Sequence, residues 1–109
     1  MSLTETFAAL GDPTRLAILE RLAEGDATVK ELAEPFSVSL PAISRHLKVL
    51  ERAGLITRGR TAQSRPSSLR VDALKDATMW MNARRELWEG RMDRLDRHLQ
   101  QIQTGLDHE

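Results

Sequence analysis

The sequence predicts a mainly α-helical protein with one small β-hairpin. Apolar residues recur at helical spacing along most of its 109 residues, and glycine or proline interrupts them at short intervals. Two short segments that alternate apolar and polar residues lie close together between positions 55 and 71, which is typical of a hairpin. A chain of this length buries one modest core, so we expect a single domain over residues 1–109 with five helices and two strands.

Two helices are expected at the start of the chain. The first ends at Gly11 and the second begins at Asp12 and Pro13. An aspartate side chain can accept hydrogen bonds from first-turn amides, and proline at the next position loses no needed donor. Gly25 ends the second helix. The residues of this helix that are predicted to face the core are Leu16, Leu19, Leu22 and Ala23.

Two further helices are separated by a short connection. Thr28 and Glu31 have the spacing of a capping box, which begins a third helix, and Pro35 ends that helix. Ser39 is the expected cap of a fourth helix, in which Pro41 is tolerated because it lies in the first turn. The apolar stripe that this fourth helix turns toward the core is predicted to be Ile43, Leu47 and Leu50.

The hairpin is expected directly after the fourth helix. Gly54 closes that helix, and residues 55–58 are predicted to form the first strand. Leu69 and Val71 alternate with polar residues and predict the second strand. Pro66 suits the tip or an edge of the hairpin, because proline cannot donate to a sheet ladder.

A long terminal helix is predicted over about residues 72–104. Apolar residues recur there every three or four positions, interrupted by one arginine. A domain this small cannot cover so long a stripe with its own core, so the distal part needs a partner surface, most simply the same helix of a second copy. The residues expected at this dimer interface are Phe7, Trp88, Met92, Leu95, Leu99 and Ile102.

The zero net charge of the chain conceals a concentrated basic segment. Residues 1–34 carry seven acids against three bases and residues 71–109 carry eight against six, whereas residues 35–70 carry seven bases against one acid. A polyanion responds to this local charge of +6 rather than to the average. The seven bases are Arg45, Lys48, Arg52, Arg58, Arg60, Arg65 and Arg70.

The order of these elements is that of a winged helix-turn-helix, in which the second helix of the motif can enter the major groove of DNA. Residues 35–38 are a short connection that joins two helices at a sharp angle, and the basic hairpin provides the wing. The small residues Ser39, Ala42 and Ser44 would let the helix backbone approach DNA closely. The basic side chains expected within reach of bases or phosphates are Arg45, His46 and Lys48 on the helix, and Arg58, Arg60 and Arg65 on the hairpin.

Three features leave alternatives open. His46 either contacts a base or phosphate, which its basic surroundings favour, or packs at the helix surface. Arg15 and Arg21, on the second helix, are weaker candidates for a contact with the DNA backbone. Trp80 and Trp88 could line an effector pocket between helices, but aromatic residues at helical spacing more often belong to a core or a dimer interface.

Four segments in combination resemble the ArsR family of bacterial repressors: Ala9–Leu19, Glu31–Ala33, Ser39–Leu50 and Ala53–Ile56. The resemblance spans roughly residues 5–100. It implies a homodimer built on the terminal helices, which binds imperfect palindromes near promoters through a helix and a wing. By position, it places the wing at Arg58–Arg65, and it implies that the residues facing the groove are Ser39, Pro41, Ala42, Ser44, Arg45 and His46.

The chain departs from this family in containing no cysteine. Many members sense metals through cysteines at the start of the third helix, and that site cannot exist here. Others bind zinc between paired terminal helices through aspartate and histidine. Asp93, His98 and His108 lie in that region, where solvated surface groups are the alternative to zinc ligands. The sequence therefore predicts no metal site and no cofactor.

These observations together predict a sequence-specific DNA-binding transcription regulator, a homodimeric repressor that binds a palindromic operator in double-stranded DNA. A winged-helix module that contacts proteins without binding DNA is the alternative. Neither a nucleophile with catalytic spacing nor a glycine elbow indicates an enzyme. The start of the chain has no signal-peptide pattern and no apolar run is long enough for a bilayer, so we expect a cytoplasmic protein without membrane association.

Overall fold

The computed structural model describes residues 2–59 and 66–107, with side chains up to residue 105. Within these residues the chain forms five helices and one two-stranded antiparallel sheet, as the sequence predicts. The elements in chain order are α1 (Leu3–Leu10), α2 (Pro13–Glu24), α3 (Val29–Ala33), α4 (Leu40–Arg52), β1 (Ile56–Arg58), β2 (Ser67–Leu69) and α5 (Asp72–Asp107).

Side-chain caps begin the short helices where the sequence predicts them. Asp12 accepts hydrogen bonds from two first-turn amides of α2. Thr28 and Glu31 form both hydrogen bonds of a capping box at α3. Ser39 accepts from the third residue beyond it, and Pro41 lies in the first turn of α4. Each cap satisfies amide donors that a helix leaves without an internal partner, which fixes where the helix begins.

The core of the first half of the chain is built around α4. The predicted stripe Ile43, Leu47 and Leu50 is fully buried. The prediction for α2 is correct at Leu19 and Leu22 but wrong at Leu16, which is 44% exposed, and Ala23 is also exposed. Ile18 takes the central place instead and is fully buried. Burial of an aliphatic side chain of this size stabilises the fold by about 1.5–3 kcal/mol.

The hairpin is joined to the rest of the core on one side. Ile56 pairs with Leu69 and Arg58 pairs with Ser67 across the two strands. Ser67 also exchanges two backbone hydrogen bonds with Ala27, of 2.8 and 3.2 Å between nitrogen and oxygen. The base of the hairpin is therefore held to the connection between α2 and α3.

The second strand is shorter than the sequence suggests at its end. β2 ends at Leu69, and Val71 is exposed rather than part of an alternating strand. The carbonyl of Val71 accepts from the amide of Lys75 at 2.8 Å, so this residue already belongs to the entry of α5. A helical hydrogen bond has displaced the strand pairing that the alternation suggested.

Two compact units make up the described chain, and α5 contributes to both. The first unit ends at Ala77 and the second begins at Thr78. In the first unit, Ala73 and Ala77 of α5 are buried. In the second unit every described residue from 78 to 105 is exposed. Among the described residues, no helix combines the length and the apolar character needed to cross a membrane.

Candidate nucleic-acid interface

The helix-turn-helix is formed by α3, a short connection and α4. Leu32 of α3 is buried in the same cluster as Leu47 of α4, and half-buried Phe36 of the connection packs against that cluster. The amide of Phe36 donates to the carbonyl of Ala33 at 3.0 Å, which turns the chain away from the axis of α3. The connection therefore sets α4 against a fixed apolar support.

The surface of α4 opposite its buried stripe is polar and basic. Pro41, Arg45 and Lys48 follow one another at spacings of four and three residues, so they lie on one helix face, and each is exposed. Arg52 continues this face and is also exposed. A face that combines two or more cations with a wide solvent exposure is suited to a polyanion.

Several side chains at the start of α4 are small, which makes this end of the helix narrow. Exposed Ser39 and half-exposed Ala42 and Ser44 all have small side chains. The hydroxyl of Ser39 accepts from the amide of Ala42 at 3.3 Å and so serves as the helix cap. Small residues at this end allow the helix backbone to approach another surface, and the helix dipole adds partial positive charge there.

His46 lies at the edge of this face, where it meets α2. It is half-buried, and its Nδ1 atom is 3.3 Å from a terminal nitrogen of Arg15. The same guanidinium donates to the carbonyls of Ala9, from Nε at 2.7 Å, and of Ala8, from the other terminal nitrogen at 3.1 Å. The structure thus shows a packing contact for His46, which is neither fully buried nor fully exposed.

The start of α2 carries a charged side chain close to Arg15, the carboxylate of Asp12. The Asp12 carboxylate accepts from the amides of Thr14 at 2.8 Å and Arg15 at 3.1 Å. The hydrogen bond from the Arg15 amide is the main cause that lowers the pKa of Asp12 below its ordinary value, and the hydrogen bond from the Thr14 amide and the charge of the Arg15 guanidinium lower it further. Asp12 is therefore an anion near neutral pH.

Of the three predicted hairpin arginines, the structure describes Arg58. Arg58, at the end of β1, is half-buried, and its Nε atom is buried without a hydrogen-bond partner in the described part of the chain. Arg60 and Arg65 lie outside the described residues. The strand ends close together at Gly59, whose amide donates to the carbonyl of Pro66 at 2.7 Å. A Cβ atom at Gly59 would lie 2.9 Å from the Pro66 ring, so a side chain does not fit there.

The second unit presents a long apolar face. Trp88, the most exposed of the predicted interface residues, is 64% exposed, and about half of each of the others on α5 is exposed. These residues recur at spacings of four and three, which aligns them along one side of the helix. The predicted set on this helix is Trp88, Met92, Leu95, Leu99 and Ile102. Phe7, the remaining predicted interface residue, is half-buried on α1.

Charged side chains border this apolar face. The guanidinium of Arg84 lies over the ring of Trp80, 4.9 Å from its centroid. Arg85 and Glu89 form an ion pair of 3.7 Å one helical turn apart. Arg84 therefore interrupts the apolar spacing without removing apolar contact, because a guanidinium over an indole ring is itself an attractive pair.

Within residues 2–59 and 66–107, no three histidine, aspartate or glutamate side chains converge in a way that could hold a metal ion. Asp93 and His98 belong to this range, whereas His108 lies outside the described residues.

Arg15 is the residue whose role the sequence did not indicate. As a candidate for a DNA backbone contact it was expected at the surface, but it caps the end of α1 and contacts α4. One signal was available: α1 has no basic residue in its last turn, and a helix end favours a cation. The contact with His46 depends on packing across 31 positions of sequence, which no local pattern reveals.

Comparisons with known proteins agree with this architecture. A family model described as a helix-turn-helix domain matches residues 10–59. The chain is 40% identical over 79 residues to the transcriptional repressor SdpR of Bacillus subtilis. This alignment covers 72% of this chain and 88% of SdpR. It is 58% identical over 48 residues to the HTH-type transcriptional regulator Rv2034 of Mycobacterium tuberculosis. That alignment covers 44% of this chain and 45% of Rv2034.

A solved structure extends the likeness to most of the chain. The crystal structure of the ArsR family transcriptional regulator RHA00566 superposes with a TM-score of 0.76 at 39% sequence identity. The superposition covers 80% of this chain and 96% of that one. These likenesses show that the chain belongs to the ArsR family of winged helix-turn-helix transcriptional regulators.

Proposed function

We propose that this protein is a homodimeric repressor of transcription that binds a two-fold symmetric operator with α4 in the major groove. The observation that carries the proposal is the exposed basic face of α4, which stands opposite a fully buried stripe and next to a narrow helix start. An α-helix fits the major groove, and side chains near its start reach base edges. The protein acts by binding rather than by catalysis, in the cytoplasm, where DNA is accessible.

The residues of α4 divide into two groups in this proposal. Arg45 can make two parallel hydrogen bonds to a guanine, and Lys48 offers a point charge to a phosphate. The residues that bring the helix close are small or lie in its first turn: Ser39, Pro41, Ala42 and Ser44. His46 offers one ring nitrogen from the edge of the face.

The hairpin is proposed to contact DNA beside the groove that α4 occupies. Arg58 supplies a cation at the base of the hairpin. Within the described residues, its buried Nε atom has no hydrogen-bond acceptor. Arg60 and Arg65 are proposed as backbone contacts on the strength of the sequence. Each arginine that contacts a phosphate adds to the salt dependence of binding, because it displaces condensed counterions.

A second copy is proposed to cover the apolar face of α5. Trp88, Met92 and Leu95 begin a seam with the spacing of a two-stranded helical pair. Six large apolar side chains of the described second unit from Leu87 onward would otherwise lie in water, namely Leu87, Trp88, Met92, Leu95, Leu99 and Ile102. Two copies related by a two-fold axis would present two α4 helices to half-sites about one helical turn, roughly 10 bp, or a multiple of it apart.

The test is selection of bound fragments from a random DNA pool by the purified full-length protein. We expect one enriched motif with two inverted half-sites, bound at least about 1000-fold more tightly than unrelated DNA at physiological salt. Recovery of a single unrepeated half-site would contradict the two-fold operator. No enrichment at all would contradict DNA binding and favour a winged-helix module that contacts proteins. The control is a variant with Arg45→Ala and Lys48→Ala, which should enrich nothing.

A further inference from the structure

One arginine side chain joins three helices beneath the face that is proposed to read DNA. Arg15 begins in the first turn of α2, donates to the Ala8 and Ala9 carbonyls at the end of α1, and contacts Nδ1 of His46 on α4. The three distances are 3.1, 2.7 and 3.3 Å, respectively. All five donors of a guanidinium lie in one plane, so two short bonds to α1 leave little freedom for the third contact.

The chemistry of that third contact favours one tautomer of His46. A guanidinium has donors and no acceptor, so Nδ1 of His46 must accept. An imidazole that accepts at Nδ1 is neutral and carries its proton on Nε2. A proton on Nδ1 would set two donors against each other at 3.3 Å and bring a second positive charge next to Arg15.

We propose that Arg15 is a positioning residue for DNA recognition, which holds His46 in its Nε2–H form so that the ring offers DNA one donor and no acceptor. The matching groups on DNA are acceptors, namely a phosphate oxygen or the N7 and O6 atoms of a guanine. A donor from the cytosine or adenine amino group finds no partner on this ring. The inference rests on the proposed function, since it assigns a role to one side chain of the same surface.

The first experiment needs no DNA, so its outcome is independent of the proposed operator. Nitrogen-15 NMR of the imidazole rings in the full-length protein at neutral pH should show His46 with its proton on Nε2. Arg15→Ala should return His46 to a mixture of tautomers, and Arg15→Lys provides a milder change if the alanine variant does not fold. A proton on Nδ1 in the unmodified protein would overturn the proposal, and so would a His46 signal that neither folded variant alters.

Arg21 provides a matched control on the same helix. It also donates to a carbonyl at a helix end, that of Gly25 at 3.0 Å, and it pairs with Glu31 on α3 instead of with α4. Arg21→Ala therefore removes a comparable capping arginine without touching His46. We expect it to leave the His46 tautomer unchanged, and an equal change in both variants would show that the tautomer follows general loosening of the domain, which would overturn the role of Arg15.

The second experiment is a double-mutant cycle measured as affinity for the selected operator. Arg15→Ala and His46→Ala should each weaken binding about 3- to 10-fold, the range expected for loss of one neutral hydrogen bond. If Arg15 acts through His46, the double variant binds no more weakly than His46→Ala. Multiplied losses, with a decrease of about 0.9 per subunit in the slope of log K against log salt for Arg15→Ala, would show that Arg15 contacts a phosphate itself and would overturn the proposal. Unchanged affinity in both single variants would overturn it as well.

Discussion

Arg45 and Lys48 lie one turn apart on the exposed face of α4, but they differ in what they can read. The arginine fork can bond two acceptors of one guanine, whereas the lysine ammonium is a point charge. We predict that Arg45→Ala relaxes preference at one position of each half-site and costs about 1–3 kcal/mol on the selected operator. Lys48→Ala should weaken every sequence alike. Affinities for operators altered at single base pairs test both, and uniform weakening by Arg45→Ala would make Arg45 a phosphate contact instead.

Two capping carboxylates make the stability of the fold depend on pH. A hydrogen bond from the Arg15 amide lowers the pKa of Asp12, and one from the Thr28 amide lowers the pKa of Glu31. A carboxyl group whose pKa is lower in the folded state stabilises the fold above its ordinary pKa, and this contribution is lost as the pH falls through the folded value. We therefore predict that the Tm decreases as the pH falls below about 5.

Amide variants separate this effect from the caps themselves. Asn is as good a helix cap as Asp but does not titrate. Asp12→Asn combined with Glu31→Gln should therefore lose less Tm than the unmodified protein between pH 6 and pH 3, measured by thermal unfolding followed by circular dichroism. Equal losses in the two proteins would assign the acid sensitivity to other carboxylates.

At the scale of elements, the cap of α4 lies where a helix start and a DNA surface coincide. Ser39 holds the amide of Ala42 and is exposed. Ser39→Ala should cost about 1 kcal/mol of unfolding free energy, because an amide loses its acceptor. Ser39→Asp keeps the cap and adds a negative charge at the proposed DNA surface. We predict that the aspartate variant unfolds at the same denaturant concentration as the unmodified protein but binds the operator at least about tenfold more weakly.

The two measurements on Ser39 discriminate stability from binding. A loss of affinity in Ser39→Ala alone, with normal binding by Ser39→Asp, would show that α4 starts away from the phosphates. Ser39→Gly is the control for the cap, since glycine costs only a few tenths of a kcal/mol at this position.

The elements differ in how far the sequence alone defines them. Caps are local: Asp12, Thr28 and Ser39 act within three residues, and the structure has all three where the sequence predicts them. Which face of α2 is buried does not follow from the local sequence. Leu16 and Ile18 are both apolar, and packing against the neighbouring helices determines which of them is buried. Burial of that helix could therefore be predicted only as a stripe, with errors at Leu16 and Ala23.

Ends of strands and long-range contacts are the other features that spacing does not determine. The alternation of apolar and polar residues predicted that β2 reaches Val71. In the structure β2 ends at Leu69, and the carbonyl of Val71 accepts the first hydrogen bond of α5. The contact between Arg15 and His46 joins residues from separate helices, and it follows from the packing of α2 against α4. The buried stripe of α4, in contrast, was predictable residue by residue, and it defines the opposite, exposed side of the helix.

At the scale of the molecule, charge and apolar surface are divided between different parts of the chain. The basic segment 35–70 contains α4 and the hairpin, and the segments on both sides of it are acidic. The exposed apolar side chains from Trp88 onward belong to the second unit. The proposed DNA-binding and self-association residues therefore belong to different segments, so variants can alter one set without altering the other.

This separation yields a prediction about oligomeric state. Leu95→Asp with Leu99→Asp places two charges in the apolar seam of α5, where a second copy would have to bury them without partners. We predict that this variant sediments as a monomer at concentrations at which the unmodified protein is a dimer. Because each half-site would then be bound separately, affinity for the full operator should fall at least about 100-fold, since linked sites gain 10²–10⁴ from effective concentration.

A control with the same added charge keeps that result interpretable. Gln100→Asp with Gln101→Asp puts two carboxylates on the same stretch of α5 but outside the spacing of the seam, at residues that are also exposed. It should remain a dimer and bind the operator within about threefold of the unmodified protein, since charge added outside the footprint changes affinity little. A dimer that survives the leucine substitutions would place the interface on another surface. Monomers in both variants would show that charge on α5, rather than loss of the apolar seam, drives dissociation.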